Sequence, residues 1–151
     1  MDRKKQTIVM IVLLVVLGGI LLFFFIRDDK KSVIERKTGY DLPSYCTIEK
    51  YVAYGSIFNR TGFEAKIRID NNTNMNATIM QMYEKLGEDH HEITLQDFNV
   101  EKYSLFADQK LVPEPTTVSW VIVGKAGKGS LVVFMCIENQ TQCYMYMYYA
   151  E

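Results

Sequence analysis

The chain has 151 residues, of which 48% are hydrophobic and 23% are charged, and its formal net charge at neutral pH is −1. This length allows one domain with an appendage, and the hydrophobic fraction is too high for a disordered chain. The near-zero charge argues against a nucleic-acid-binding protein, and three Cys are too few for a disulfide-built scaffold.

An apolar block near the N-terminus predicts a transmembrane helix. Ile8 to Ile26 form 19 consecutive positions without a charged side chain, and basic residues flank them on both sides. As a helix, the block would be about 28 Å long, close to the thickness of the hydrocarbon core of a bilayer. A cleaved signal peptide is the alternative, but its apolar region is usually shorter and is followed by small residues. We therefore expect a short basic tail over residues 1–7 and a membrane-spanning helix over residues 8–26.

Two observations disagree about the side of the membrane on which the rest of the chain lies. Three basic residues precede the apolar block, and five follow it up to Lys37. Because basic residues concentrate on the cytoplasmic side, that count alone would place the C-terminal part in the cytoplasm. A short basic tail before a first apolar helix is instead typical of a signal anchor, whose N-terminus stays in the cytoplasm. We expect a single-pass protein of the cell membrane with an extracytoplasmic C-terminal domain.

A polar connector and then an α+β domain are predicted after the membrane segment. Residues 27–43 are rich in charged side chains and predict a juxtamembrane connector, with a short helix over Ser32 to Lys37. The domain over residues 44–151 begins with two strands, Cys46 to Ser56 and Gly62 to Asp70. Apolar and charged residues alternate in the second strand, and the residues between the two strands favour a hairpin turn.

A helix and an ambiguous stretch come next. Met75 to Leu86 place apolar residues on one face at helical spacing, and Gly87 is a plausible stop. The stretch Ile93 to Phe106 fits a helix or a strand, because the spacing of Thr94 and Asp97 suits a capping box while neighbouring apolar residues alternate.

The last third predicts a three-stranded antiparallel meander. Its strands are Thr116 to Val123, Ser130 to Glu138 and Thr141 to Tyr149, and they are rich in β-branched and aromatic residues. In the last strand, alternation places Tyr144, Tyr146 and Tyr148 on one face and Met145, Met147 and Tyr149 on the other.

Two cysteines of the meander predict a cross-strand disulfide. If Asn139 and Gln140 form a two-residue turn, Cys136 lies directly opposite Cys143, within the Cα separation that a disulfide needs. Such a bond requires an oxidising compartment and would agree with an extracytoplasmic domain. The alternative is a pair of reduced, buried thiols in a β core.

The tyrosines of the last strand predict a partner-binding surface. Tyrosine is enriched at protein interfaces, and four of them lie close together here: Tyr144, Tyr146, Tyr148 and Tyr149. If these rings are core residues instead, alanine at Tyr146 or Tyr148 would unfold the domain.

Other candidate sites have plainer explanations. His90 and His91 lie among acidic residues, but adjacent side chains diverge in an extended loop, so a polar loop is expected rather than a metal site. The glycine-rich run 124–130 lacks the Gly-Lys-Ser/Thr of a phosphate loop and leads into a strand, so it predicts a hairpin turn. The methionines follow helix and strand periodicity and predict core packing rather than copper ligation.

The sequence thus favours a non-catalytic, membrane-anchored domain that binds a partner protein or an envelope component. It gives no reason to expect a metal, a cofactor or a catalytic residue. The alternatives are a membrane-tethered ligand sensor and, with less support, a membrane-tethered enzyme, for which a deep pocket with convergent polar groups would be required.

Overall fold

The computed structural model describes residues 3–26, 29–56, 59–94, 99–139 and 142–151. Within these ranges the chain is α+β, as predicted. Its helices are α1 (Arg3–Ile26), α2 (Lys30–Thr38) and α3 (Thr73–Leu86), and its strands are β1 (Cys46–Gly55), β2 (Arg60–Ile69), β3 (His90–Glu92), β4 (Val118–Ala126), β5 (Gly129–Glu138) and β6 (Gln142–Ala150).

The described strands form a single antiparallel sheet in the order β1-β2-β6-β5-β4-β3. The predicted hairpin and the predicted meander are both present, and β2 pairs with β6 to join them. The sequence missed β3, in which His90 to Glu92 pair with Ile122 to Gly124 of β4. This pairing needs a glycine, because a Cβ atom at Gly124 would lie 2.7 Å from the carbonyl oxygen of Asp89.

Helix α1 differs from the other two helices in what its side chains contact. The segment Lys4–Leu22 is long and apolar enough to cross a membrane, and none of it is buried inside the structure. A helix of this kind near an N-terminus serves as a membrane anchor or as a signal sequence. The apolar side chains of Lys4–Leu22 therefore take no part in the core of the domain.

The segment predicted as a polar connector belongs to the folded domain. Helix α2 buries Val33 and Ile34, which are 1% and 0% exposed, and the chain after it buries Tyr40 and Leu42. The packed domain therefore begins before the predicted start at residue 44. A few apolar residues in a charged segment are enough to dock a short helix on the sheet. The helix ends at Gly39, whose φ of 68° is left-handed.

One face of the sheet, here called the helical face, packs against α2 and α3. Asn72 is the N-cap of α3 and Gly87 ends it, close to the predicted bounds. Ile79 and Met82 on α3 pack on the inward residues of the central strands, which include Ile67 and Met147. The predicted inward face of the second strand is confirmed, since all four of its apolar residues lie in this core: Phe63, Ala65, Ile67 and Ile69.

The opposite face, here called the strap face, is covered by a segment with little regular structure. Residues 99–112, which we call the strap, cross it with one 3-10 turn at Val100–Tyr103. Leu105, Phe106 and Leu111 of the strap pack on a second apolar cluster that contains Phe134 and Tyr148. The stretch predicted as either a helix or a strand enters this strap, and its residues 95–98, with Asp97 of the proposed capping box, lie outside the described residues.

Candidate functional site

The two cysteines of the predicted disulfide lie on opposite faces of the sheet. Cys136 pairs with Tyr144, and Cys143 pairs with Ile137, so the register differs by one residue from the predicted one. Three residues rather than two separate the paired Glu138 and Gln142, and a one-residue shift moves a side chain to the other face. All three Cys are free thiols, and the disulfide prediction is corrected. Gln140 of the predicted turn lies outside the described residues.

The cysteine thiols are protected by burial. Burial raises the pKa of Cys136 to about 12 and that of Cys46 to about 11, and it also raises the pKa of Cys143. A thiol is nucleophilic as the thiolate, so these raised pKa values lower the nucleophilicity of the three thiols near neutral pH. None of the three has the environment of a catalytic or redox cysteine.

The four tyrosines proposed as a partner surface are core residues. Their exposed fractions are 6% for Tyr144, 5% for Tyr146, 0% for Tyr148 and 1% for Tyr149. The predicted alternation is correct, with Tyr149 on the helical face and the other three on the strap face. The surface itself is not present, because β6 lies at the centre of the sheet and both of its faces are covered.

A buried carboxylate fixes the strap to the sheet. Glu64 on β2 is 0% exposed, and it accepts hydrogen bonds from the backbone N–H groups of Lys110 (3.0 Å) and Leu111 (2.6 Å). The Tyr54 hydroxyl donates to the same carboxylate, and the Tyr148 hydroxyl donates to the carbonyl of Leu111. Sequence alternation placed Glu64 on the charged face of its strand, opposite the apolar residues, and nothing in its local pattern indicates that a distant segment covers it.

The strap leaves a cleft at the edge of the sheet formed by β3, β4 and β5. We call it the strap cleft; its volume is about 480 Å³. Leu105, Val123 and Val132 form its apolar wall. Six polar residues also line it: Asp89, His91, Lys102, Ser104, Lys125 and Ser130. Its size lies within the range of small-ligand sites, and polar groups around an apolar wall are typical of such sites.

A second cavity of about 480 Å³ is lined by residues of the strap alone. Val100, Glu101, Gln109 and Val112 line it, and it shares Ser104 and Leu105 with the strap cleft. Residues 104–105 therefore border both cavities. A displacement of the strap would change the shape of both.

Away from the strap, a polar cluster on the same face joins β2, β5 and β6. The Lys66 ammonium forms an ion pair with Glu138 (2.9 Å) and lies 3.9 Å from the ring centroid of Tyr144, while the Tyr146 hydroxyl donates to Glu138 (2.7 Å). Burial disfavours the charged forms of Lys66 and Glu138, but the hydrogen bonds and the attraction between opposite charges favour these forms more strongly. They raise the pKa of Lys66 to about 12 and lower that of Glu138.

The remaining candidates of the sequence have structural roles. The ring of His90 stacks on the ring of Tyr83 with 4.7 Å between their centroids, and His91 lines the strap cleft. Residues 127–128 form the tight turn between β4 and β5, where Gly127 has a φ of 57°. Among the residues that the structure describes, no three His, Cys, Asp or Glu side chains are grouped as a metal site. Strand β3 has only three residues, which is too few to show the alternation of apolar and polar residues that would predict a strand.

Comparisons with protein families, with curated proteins and with solved structures find no match to this chain. The function must therefore be argued from the described residues. The strap cleft is the candidate site, because it combines an accessible volume, an apolar wall and polar groups from four separate segments.

Proposed function

We propose that this protein is a single-pass membrane protein whose C-terminal α+β domain binds a partner protein or an envelope component without catalysing a reaction. The observation that carries this proposal is the contrast between α1 and the domain. The segment Lys4–Leu22 has exposed apolar side chains along its whole length, whereas the domain completes two apolar cores without it. A lipid bilayer is the environment that would cover such a helix.

An uncleaved anchor is favoured over a removed signal peptide by the position of α2. Only residues 27–29 separate the apolar helix from α2, whose Val33 and Ile34 are core residues. A signal peptidase would have to cut immediately before a packed helix, and no small-residue cleavage site follows the apolar block. The anchor keeps the domain at high local concentration near other membrane proteins.

The proposed extracytoplasmic position of the domain is supported by a single feature of the sequence. It rests on the short basic tail before a first apolar helix, because the disulfide that would have supported it is not formed. The number of basic residues after the helix favours the opposite side. A direct topology measurement is therefore part of the test.

The strap cleft is the proposed contact site for the partner. Its apolar wall offers area to bury, and its polar rim offers hydrogen bonds and charges that would select a partner. A ligand-sensing role is the second candidate, and it is favoured by the cleft volume of about 480 Å³, which would also accommodate a small molecule.

The anchor and its orientation are tested together in cells. Intact mass of the membrane-bound protein should include the apolar helix, and the protein should resist extraction with carbonate. A Lys128→Cys variant, whose new thiol is exposed in the β4–β5 turn, should react with a membrane-impermeant maleimide in intact cells. A mature chain that lacks residues 1–26 would contradict the anchor, and labelling that requires lysis would reverse the orientation.

Binding at the cleft is tested with a photo-crosslinking amino acid at position 104 or 125. Both positions line the strap cleft, and position 84 on the exposed side of α3 is the matched control. We expect one crosslinked species from the cleft positions and none from the control. A melting temperature that rises with a small molecule, without any protein crosslink, would favour the sensor instead.

A further inference from the structure

The chain between the apolar helix and the domain is short enough to restrict where the domain lies. Helix α1 ends at Ile26 and α2 begins at Lys30, so three residues connect them. Three residues span about 10 Å at most. Helix α2 cannot swing away, because Ile34 is 0% exposed in the core of the helical face. A domain whose first helix is fixed in this way must lie close to the membrane that holds α1.

The direction of α2 determines which end of the sheet is close to that membrane. The Glu35 carboxylate accepts a hydrogen bond from the backbone N–H of Leu42 (2.9 Å) and pairs with Lys31 (3.7 Å). The Pro43 carbonyl, next in the chain to Leu42, accepts from the N–H of Cys46 (3.0 Å), so the first half of α2 faces the start of β1. At the other end of α2, Lys37 Nζ donates to the carbonyl of Arg60 (3.0 Å) and pairs with Glu151 (2.5 Å). Helix α2 therefore runs from the start of β1 towards the start of β2.

The strand register defines two ends of the sheet. Cys46 pairs with Ile69 and Ile69 with Cys143 at one end, which we call the near end. Gly62 pairs with Ala150, and Ala150 with Ser130, at the other, which we call the far end. Strands of nine or ten residues separate these ends by about 30 Å.

The two ends differ in chemistry. The near end carries amide and hydroxyl side chains, and in the described segments 43–46, 70–74, 138–139 and 142 its charged residues are Asp70 and Glu138, the latter ion-paired with Lys66. Its neutral polar residues are Ser44, Tyr45, Asn71, Asn72, Thr73, Asn74, Asn139 and Gln142. The far end is charged, with Lys37, Arg60, Asp89, Lys125, Lys128 and Glu151. Neutral N–H and O–H groups suit the interface of a bilayer, where they can donate to phosphate and ester oxygens without burying a charge.

We propose that the near end of the sheet rests on the phospholipid headgroup layer of the membrane that α1 spans, with Lys30 and Lys31 at the phosphate level. The strap cleft then faces away from the bilayer, since Lys125 and Ser130 on its wall lie at the far end. This inference rests on the proposed membrane anchor, and it holds for either side of the membrane. It makes the cleft accessible to a partner in the aqueous phase.

Site-specific fluorescence quenching in vesicles tests this orientation on the full chain. Ser44→Cys and Thr73→Cys place a thiol at the near end, and Lys128→Cys is the matched far-end control, each in a Cys46→Ser background; all three positions are exposed. Cys136 and Cys143 are 0% and 1% exposed, so an environment-sensitive maleimide dye should label the introduced thiol. The protein is reconstituted into zwitterionic phospholipid vesicles that carry a nitroxide on the headgroup.

We expect at least about twofold stronger quenching of both near-end labels than of the far-end label, because the two ends are about 30 Å apart. Equal quenching at the two ends, or stronger quenching at position 128, would overturn the orientation. Flotation of the vesicles separates this outcome from failure of the anchor. A protein that does not float with the lipid contradicts the proposed anchor itself, whereas one that floats without the difference in quenching contradicts only the orientation.

Discussion

The two faces of the sheet are covered in different ways. The helical face is closed by α2 and α3 through apolar side chains, and its residues Ile67 and Met147 are completely buried. The strap face is closed by a segment with one 3-10 turn, which hydrogen bonds to Glu64 and Tyr148 hold in place. The helical face is covered by two regular helices, whereas the strap is an irregular segment in which a few hydrogen bonds add to the packing of Leu105, Phe106 and Leu111. We therefore expect the helical face to determine global stability and the strap face to open locally.

The largest effect is expected from a cavity on the helical face. Ile67→Ala removes a 0% exposed side chain between the central strands and the helices, and such substitutions cost about 2–5 kcal/mol of unfolding free energy. Urea unfolding of the full chain in detergent, followed by the fluorescence of Trp120, the one Trp of the chain, measures this loss. Met80→Ala on the exposed side of α3 is the control and should change little.

A second variant should separate the strap from the rest of the domain. Glu64 accepts hydrogen bonds from two backbone N–H groups. In Glu64→Gln, the side-chain NH₂ group would face one of these N–H groups, and two donors cannot form a hydrogen bond. Leaving such groups unpaired costs about 1–3 kcal/mol. Hydrogen exchange of Lys110 and Leu111 should become about tenfold faster or more, since each 1.4 kcal/mol is a factor of ten, while exchange in β6 changes less.

The matched control for the strap is Glu101→Gln, because Glu101 is exposed on the same segment. Its exchange rates should stay at the wild-type values. Equal acceleration of strap and β6 amides in Glu64→Gln would contradict a strap that opens independently, and would show that both faces unfold as one unit.

The sequence predicted the helical face better than the strap face, for a physical reason. Helix periodicity in α3 and alternation in β2 are local patterns, and both placed the correct residues in the core. The strap has no such pattern, because its backbone is held by a side chain that is 46 residues away in sequence. The buried state of Glu64 and of Tyr148 depends on that long-range cover, so a surface was predicted where a core lies.

The register of β5 and β6 could not be predicted for a related reason. A two-residue and a three-residue connection are both compatible with the residues after Glu138, and they differ in which face each Cys occupies. The pairing of β6 with β2 on its other side places Cys143 opposite Ile69, on the helical face. This second neighbour, which the meander alone does not reveal, fixes the register.

The polar cluster on the strap face should make part of the stability depend on pH. The pKa of Glu138 is lower in the folded chain, so its contribution is present above its ordinary pKa and is lost as the pH falls through the folded value. The pKa of Lys66 is raised to about 12, so its contribution is present below its ordinary value of 10.5 and is lost as the pH rises through about 12. Lys66→Met should cost about 1 kcal/mol near neutral pH.

Urea unfolding at several pH values tests this assignment. The difference in stability between wild type and Lys66→Met should shrink as Glu138 becomes protonated in acid. Lys125→Met, an exposed lysine of β4, is the control and should show no such convergence. A Lys66→Met deficit that stays constant from neutral to acid pH would exclude the ion pair as its source.

The smallest effect on stability is expected at the rim of the strap cleft, where substitutions should change partner binding and leave the fold intact. Lys102 and Lys125 are exposed, so Lys102→Glu and Lys125→Glu should each change the unfolding free energy by at most about 0.5 kcal/mol. Each should nevertheless weaken the crosslink formed from position 104, because the charge that the cleft presents to a partner is reversed. A loss of unfolding free energy as large as that of Ile67→Ala would mean that the strap face contributes as much to global stability as the helical face does. A wild-type crosslink in both variants would place the partner elsewhere on the domain.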